Sequence, residues 1–595
     1  MKKRSLNILK KISALTVGIV TVLSLTVPAY ARTYNDIDNI MRGIKINIPQ
    51  KLIIASPAKD ITTTASTYYI SGTSNPNYNL TCNGYDVSAV GKQGSFATFV
   101  DLDFGINTFT FAQGDGSTAT VKITRSQGGG ATKTNTVTKM QPEYASAFVS
   151  GDTVTLKCVA PYGASIQATV MGNTYELSPV SSAQNGTPTT YKRDITFPSV
   201  SSVQNIGSIK YTMTYNGNTK TYLSDGKVTA YPQGATIYVE VIDPTTPLLN
   251  DPDNIDDVMC AVRLGAVDYV VDQNAYRYKL ACGGWINKVS VEPIQNIKTT
   301  NHVNEINFYK TLNGETITFT GNSRPIVDSY QTGDTLELKM YHTSGFSSLP
   351  SNINTSEAIS SYSIENYNDY TLLKLKLKKE ISGHVVNYDG NTISLYIKYK
   401  AKANPNSSQP LKNITIAIDP GHGGVDLGAT GVTHTSGDSE CHITANAAIA
   451  LKRRLESLGA NVVVANINPD PKAKTTYYKR MQPAFINNAD LFISLHCNSA
   501  VGDARKPNGV EVYYYYSRHR AAAESVLNNV VAHTGRTKRK AQQAVYRVTF
   551  NSLAPAMLLE MGFISNPKEY DELNSRWGIF NTVNGIADGI IEYFS

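Results

Sequence analysis

A chain of 595 residues, 41% hydrophobic and 17% charged, is long enough for roughly three to five domains of about 100 to 200 residues each, which excludes a small disulfide-stapled module and a wholly disordered chain. The formal net charge of +8 does not argue for nucleic acid, because Lys2, Lys3, Arg4, Lys10 and Lys11 supply five of those charges within a start that holds no acid. What remains is too weak and too dispersed for a phosphate-backbone footprint.

Residues 1–31 have the form of an export signal: the basic start, an apolar run from Ala14 to Val27, then Ala29-Tyr30-Ala31 as a small-x-small cleavage site that leaves Arg32 as the mature start. The apolar run is shorter than the ~20 residues of a membrane span, and no later segment is apolar enough to be one. The mature chain is therefore expected outside the membrane, with no transmembrane segment after cleavage. Six cysteines (Cys82, Cys158, Cys260, Cys282, Cys441, Cys497) are too sparse for a disulfide framework. Cys260 and Cys282 are near enough in sequence to pair, but spacing alone does not decide it.

From 32 to 126, short β-branched or aromatic runs alternate with turn signals, as in Tyr68-Tyr69-Ile70 before Gly72, Phe96 to Val100 and Asn107 to Phe111. This predicts a β-sandwich. Tyr69 to Thr73 and Asp101 to Asn107 resemble bacterial immunoglobulin-like domains. A linker over 127–137 contains Gly128-Gly129-Gly130. Residues 138–235 predict a second sandwich-like domain, with alternating strands such as Thr153 to Val159 and Tyr191 to Phe197. Residues 236–402 stay β-rich, and their last part resembles an accessory β domain found ahead of the catalytic unit in some cell-wall amidases. A polar, proline-bearing linker follows over 403–410.

After Leu411 strands alternate with helical periods, so 411–595 predicts an α/β domain with a twisted, largely parallel sheet between helices, behind all-β N-terminal modules. Three apolar runs there end in titratable side chains: Ile414 to Ile418 leads through Asp419-Pro420-Gly421 to His422, Leu491 to Leu495 ends at His496, and Met557 to Leu559 ends at Glu560. In open α/β sheets, sites form beyond the carboxyl ends of the strands, so the three ends point to one place. A fourth residue comes from a helix. Ala448, Leu451, Leu455 and Leu458 recur at spacings of three, four and three, one buried stripe, and Glu440 falls close to the line of Leu451 and Leu458. A carboxylate on a buried stripe needs a cation or a metal as partner. His442 should face away. Two histidines and one carboxylate make a three-donor zinc set with a fourth position for water, whose pKa the ion lowers toward ~7. Glu560 is then free to act as general base and proton shuttle in metal-assisted amide hydrolysis.

The segments Asp419-Pro420-Gly421-His422-Gly423-Gly424, Ala489 to Asn498 and Leu559 to Pro567 resemble the zinc-dependent N-acetylmuramoyl-L-alanine amidases, which cut peptidoglycan between the muramic acid lactyl group and the first L-alanine of the stem peptide. The resemblance implies one catalytic Zn²⁺ held by His422, Glu440 and His496, Glu560 as the catalytic glutamate, no other cofactor, and a sheet of about six strands. It also implies an extracellular, cell-wall-associated chain, an autolysin, with peptidoglycan as partner; the order of the domains, by itself, suggests that the β domains place the enzyme on the wall or restrain it. Two positions depart from the family: Cys441-His442 follows Glu440 where a Lys-Asp pair is common, and Cys497 stands where a small residue is usual. A variant site using Cys441 or His442 is the alternative these departures leave open. Arg536, Lys538, Arg539 and Lys540 form a basic stretch that could meet anionic wall polymers or be a solvated turn. Two other functions fit the same residues: a wall-adhesion protein with a degenerate amidase domain, and a zinc peptidase cutting within the stem peptide.

Overall fold

The computed structural model describes residues 35–595 except 47, 128–131, 244–245, 296, 435–437 and 466–469. The export signal and the glycines of the first linker lie outside the described residues. A short N-terminal unit ending at Lys45 carries the helix Asn35–Ile40. Ile46–Ser595 form a second unit, and all that follows concerns it.

Its N-terminal side is entirely β. A four-stranded and a five-stranded sheet enclose Ile70, Leu80, Phe96, Phe111 and Ile123, the inward members of strands whose outward members are polar. A seven-stranded sheet system between Ser146 and Tyr231 folds around Leu156, Tyr191, Tyr211 and Val228. Residues 236–402 hold two cores. One belongs to a seven-stranded sheet that includes Tyr238–Val241, Pro247–Leu249, Arg277–Leu280 and Trp285–Asn287, packed around Val239, Leu248, Tyr278 and Ile286. The other lies between two four-stranded sheets, around Phe319, Leu336, Leu338, Leu373 and Leu395.

The C-terminal domain is α/β. Its strands are β1 (Thr415–Pro420), β2 (Asn461–Val464), β3 (Leu491–Asn498), β4 (Val510–Tyr514), β5 (Lys538–Gln543) and β6 (Ala556–Phe563), in the order β2-β1-β3-β6-β4-β5. Its helices are α1 (Glu440–Ser457), α2 (Tyr477–Ile486), α3 (Arg520–Thr534), α4 (Pro567–Leu573) and α5 (Arg576–Phe594). β2, β1, β3 and β6 are mutually parallel, whereas β4 pairs antiparallel to β6 and β5 follows β4. The apolar β1, β3 and β6 are buried on both faces, as central parallel strands must be. α1 and α3 pack against α5, and α2 packs against β1. α3 and α5 approach closely, because a Cβ on Gly585 or Gly589 would stand 2.6 Å from the Cα of Val530 or Val526.

The β modules sit on this domain through specific contacts. The Gln93 amide donates to Asp571 Oδ2 at 2.6 Å. Lys398, buried, pairs with Asp490 at 3.0 Å and donates to the Ala489 carbonyl at 2.7 Å. Val258 and Ala261 pack against the cluster that holds Met481, Val548, Phe550 and Leu558.

Candidate metal centre and active site

The parallel register explains why three strand ends converge. His496 on β3 and Glu560 on β6 are direct neighbours across the sheet, so both side chains stand on the same face. The chain leaving β1 reaches His422 through Gly421, and His422 itself has φ +62°, a left-handed conformation that a non-glycine residue adopts only when its surroundings enforce it. They do so here. Arg480 of α2, buried, donates to Asp419 Oδ1 at 3.0 Å, to the Pro420 carbonyl at 2.8 Å and to the His422 carbonyl. Thr444 of α1 donates to the Gly421 carbonyl at 2.8 Å. Two glycines are required by close approach: a Cβ on Gly421 would lie 2.5 Å from His496 Cε1, and one on Gly428 2.6 Å from both Glu440 Oε2 and His422 Cδ2.

Donor atoms of His422, Glu440 and His496 lie within 4.8 Å of one another. Glu440, the first residue of α1, is buried at 4% exposure. Its Oε2 faces His422 Nε2 at 3.1 Å and its Oε1 faces His496 Nδ1 at 2.9 Å. Backbone amides of Cys497 (2.9 Å) and Ala429 (3.0 Å) also donate to it. Burial alone would raise its proton affinity, but the two imidazoles overcome that and hold the carboxyl well below the usual range. His422 is shifted up: burial opposes its charge, and Glu440 and Asp426 outweigh burial. Its other nitrogen, Nδ1, is 3.0 Å from Asp426 Oδ1, and Asp426 Oδ2 meets Lys474 Nζ at 2.9 Å. A carboxylate on the far nitrogen of an imidazole fixes its tautomer and turns the near nitrogen toward a metal. Two imidazole nitrogens and a buried ionised carboxylate, edge to edge and with one side open to a cavity, fit a divalent cation of the zinc type.

That cavity, about 560 Å³, is lined by His422, His496 and Glu560, with Glu440 behind the imidazoles. Burial, reinforced by Glu440 and Glu511, pushes the Glu560 carboxyl up to about 8. Its Oε2 is buried and, among the described residues, has no hydrogen-bond partner. Glu511 is the residue opposite Glu560 on β4 and is held by Asn498, Tyr513 and Arg539.

The four residues expected from strand ends and helix face are thus brought together. His442 is exposed on the far side, its Nδ1 2.9 Å from Ser439 Oγ, and stands outside the donor cluster, as does Cys441. Cys497 is buried, its thiol pushed well up by burial, and all six cysteines are unpaired, Cys260 and Cys282 included. The basic stretch is neither a turn nor a continuous patch: Arg536 is buried and donates to the Met561 carbonyl, Arg539 pairs with Glu511, and only Lys538 and Lys540 of β5 project unpaired as exposed charges among the described residues. Strand-end reasoning missed Arg480, Lys474 and the positioning role of Asp426. The signal for Asp426 was its place in the glycine-rich turn four residues after His422. Arg480 gave none, because its partners are backbone carbonyls and a buried aspartate on a different element.

Residues 416–592 match the family model described as N-acetylmuramoyl-L-alanine amidase. A probable cell wall amidase, LytH, of Staphylococcus epidermidis is 35% identical over 189 residues, 32% of this chain and 61% of that protein. Its Staphylococcus aureus counterpart is 31% identical over 192 residues, 32% of this chain and 62% of that protein. The chain therefore spans somewhat less than two thirds of the length of these curated relatives. The solved catalytic domain of CwlV, an N-acetylmuramoyl-L-alanine amidase from Paenibacillus polymyxa var. colistinus, is 30% identical, with 30% of this chain and 97% of that one covered at a TM-score of 0.28. The matched residues span β1 to α5, so it is the C-terminal α/β domain, residues 416–592, that matches the N-acetylmuramoyl-L-alanine amidase family.

Proposed function

We propose that the chain is a secreted, wall-associated peptidoglycan hydrolase that cleaves the amide bond between the lactyl group of N-acetylmuramic acid and the L-alanine of the stem peptide. His422, Glu440 and His496 hold one Zn²⁺, and Glu560 is the catalytic carboxylate. The observation that carries this reading is the convergence of three donor atoms within 4.8 Å beside Glu560, whose buried Oε2 has no hydrogen-bond partner among the described residues. When bound, the dication supplies Lewis-acid activation of water and of the scissile carbonyl. Everything else is work for the chain's own side chains. Asp426, backed by Lys474, orients His422; Arg480 fixes the turn that carries it. Glu560, beside His496 across the sheet, takes a proton from the attacking water and returns it to the alanine nitrogen as the C–N bond breaks. Its burial withholds competing water, and its raised proton affinity suits a group that must both accept and release a proton near neutrality.

In this reading residues 1–31 are the signal peptide, the modules over 32–126 (immunoglobulin-like), 138–235 and 236–402 are accessory β domains, and 411–595 is the catalytic domain. The filled positions of all four site residues favour catalysis over a purely adhesive role. The test is digestion of purified peptidoglycan by the full mature chain, with and without chelator and beside Glu560→Ala, with products read by mass spectrometry. Chelator-sensitive release of intact stem peptides beginning with L-alanine, lost in the variant, is the expected result. New termini within the stem would establish a peptidase instead, and wall binding without cleavage would overturn catalysis.

A further inference from the structure

One wall of the cavity over His422, His496 and Glu560 comes from outside the α/β domain. Leu249, Arg277 and Asn287 of the seven-stranded sheet between Tyr238 and Ile294, with Ile255 and Asp256 of the turn before Val258–Ala261, line it together with those three residues. Arg277 and Asn287 are direct partners across antiparallel strands, so their side chains stand side by side on one face of that sheet. The face is fastened in place: Asp243 Oδ2 pairs with Arg547 Nη2 at 2.5 Å, and Val258 and Ala261 pack into the cluster containing Val548 and Leu558.

The basic side chains of this cavity differ in one respect. Lys474 pairs with Asp426, Arg480 with Asp419, Arg547 with Asp243, and His422 and His496 with Glu440. Arg277 alone, among the described residues that line it, has no carboxylate within ion-pair distance. Its Nη1 donates to the Pro252 carbonyl, and its Nε is buried with no acceptor. A guanidinium carries five donors in a planar fork suited to a carboxylate, and a site with donors left over calls for an acceptor from elsewhere. We propose that this β sheet supplies a substrate subsite to the amidase domain, in which Arg277 binds a carboxylate of the peptide stem and Asn287 hydrogen-bonds beside it. The subsite rests on the function proposed above, since it is the stem peptide that brings carboxylates close to the scissile amide.

The test uses the full zinc-loaded chain and two soluble muramoyl peptides, one with free stem carboxylates and one with them amidated. The wild type is expected to favour the carboxylate peptide about tenfold or more in kcat/KM, through KM, as charge-assisted bonds do. Arg277→Met should bring the ratio near one by raising KM for the carboxylate peptide at least tenfold, and Arg277→Lys should keep part of the preference. A strand merely disturbed by the substitution would weaken both peptides alike and leave the ratio intact, which would overturn the proposal. Calorimetric binding of both peptides to Glu560→Gln, with and without Arg277→Met, separates the two readings. If neither peptide is cut but an Arg277-dependent carboxylate preference persists in binding, the subsite stands and the amidase reading falls. If both are cut and bound equally well, the subsite alone falls.

Discussion

Asp426 gives the most direct test of how the metal centre is built. Its Oδ1 lies 3.0 Å from His422 Nδ1 and its Oδ2 2.9 Å from Lys474 Nζ. Partial burial would raise its proton affinity, yet Lys474 and His422 hold the carboxyl down to about 2 from its ordinary 3.8. At 1.36 kcal/mol per pH unit that difference corresponds to roughly 2 kcal/mol, the net left after burial has opposed the two partners. Lys474 is 62% exposed, so its share is screened by solvent. Asp426→Asn keeps the shape but removes the charge that fixes the His422 tautomer. It should weaken zinc binding by about 10- to 100-fold, the range for a lost carboxylate behind a ligating imidazole, or about 1.4 to 2.8 kcal/mol. Lys474→Met should cost much less. Affinity is read by competition with a chromogenic chelator on the full chain, independently of turnover. Zinc held by Asp426→Asn as tightly as by the wild type would show that the backbone turn and Arg480 suffice to aim His422, and that the carboxylate has no positioning role.

Two further outcomes are expected. Gly421→Ala places a Cβ 2.5 Å from His496 Cε1 and 2.6 Å from the Leu495 carbonyl oxygen; because the second of these is backbone of β3, the imidazole cannot swing aside to relieve it, and activity should fall by about 10²-fold or more from misplacement of the donor set, checked by turnover alongside zinc content. Lys288, 3% exposed and held by Gln273 and Ser146, has its pKa pushed by burial down to about 7. A lysine depressed in the fold binds fewer protons there than in the unfolded chain, so its penalty is absent above about 10.5, grows as pH falls, and is complete below about 7. Lys288→Met should therefore raise the urea midpoint at pH 6.5 and change it little at pH 10.5, whereas a midpoint lowered equally at both would show that packing and hydrogen bonds, and not a suppressed charge, set the contribution of this position.

How much of this was readable beforehand depended on how local each signal is. Strand runs such as Leu491 to Leu495 are written in contiguous apolar residues, and the α1 stripe in a 3.6-residue period, so His422, His496, Glu560 and Glu440 could be placed before any coordinates. The reversal of β4 and β5 could not, because strand direction leaves no mark in a short apolar run. It matters for the chemistry, since antiparallel pairing of β4 with β6 is what sets Glu511 opposite Glu560 and adds a second negative neighbour to its burial. Arg480 escaped for a similar reason. Its partners are carbonyls of the β1 turn, and a backbone acceptor carries no sequence signature. The stretch from Arg536 to Lys540 looked uniform in sequence, yet Arg536 is drawn into the domain by a carbonyl and the exposed Arg539 is neutralised by a buried carboxylate.

The same limit explains Arg277. It lies far from the amidase motifs in sequence, on a strand whose alternation reports only that one face is buried, and nothing in that alternation says what covers the other. The cavity supplies the missing fact, because the face bearing Arg277 and Asn287 closes over His422, His496 and Glu560. A pocket with metal donors from one domain and Arg277 and Asn287 from another ties substrate choice to domain docking, so the Asp243–Arg547 pair bears on specificity without touching the metal. Asp243→Asn, with Arg547 left in place, should loosen that wall and reduce the preference for carboxylate over amidated peptide while zinc affinity stays unchanged. A preference that survives this substitution would mean that the packing of Val258 and Ala261 holds the wall unaided.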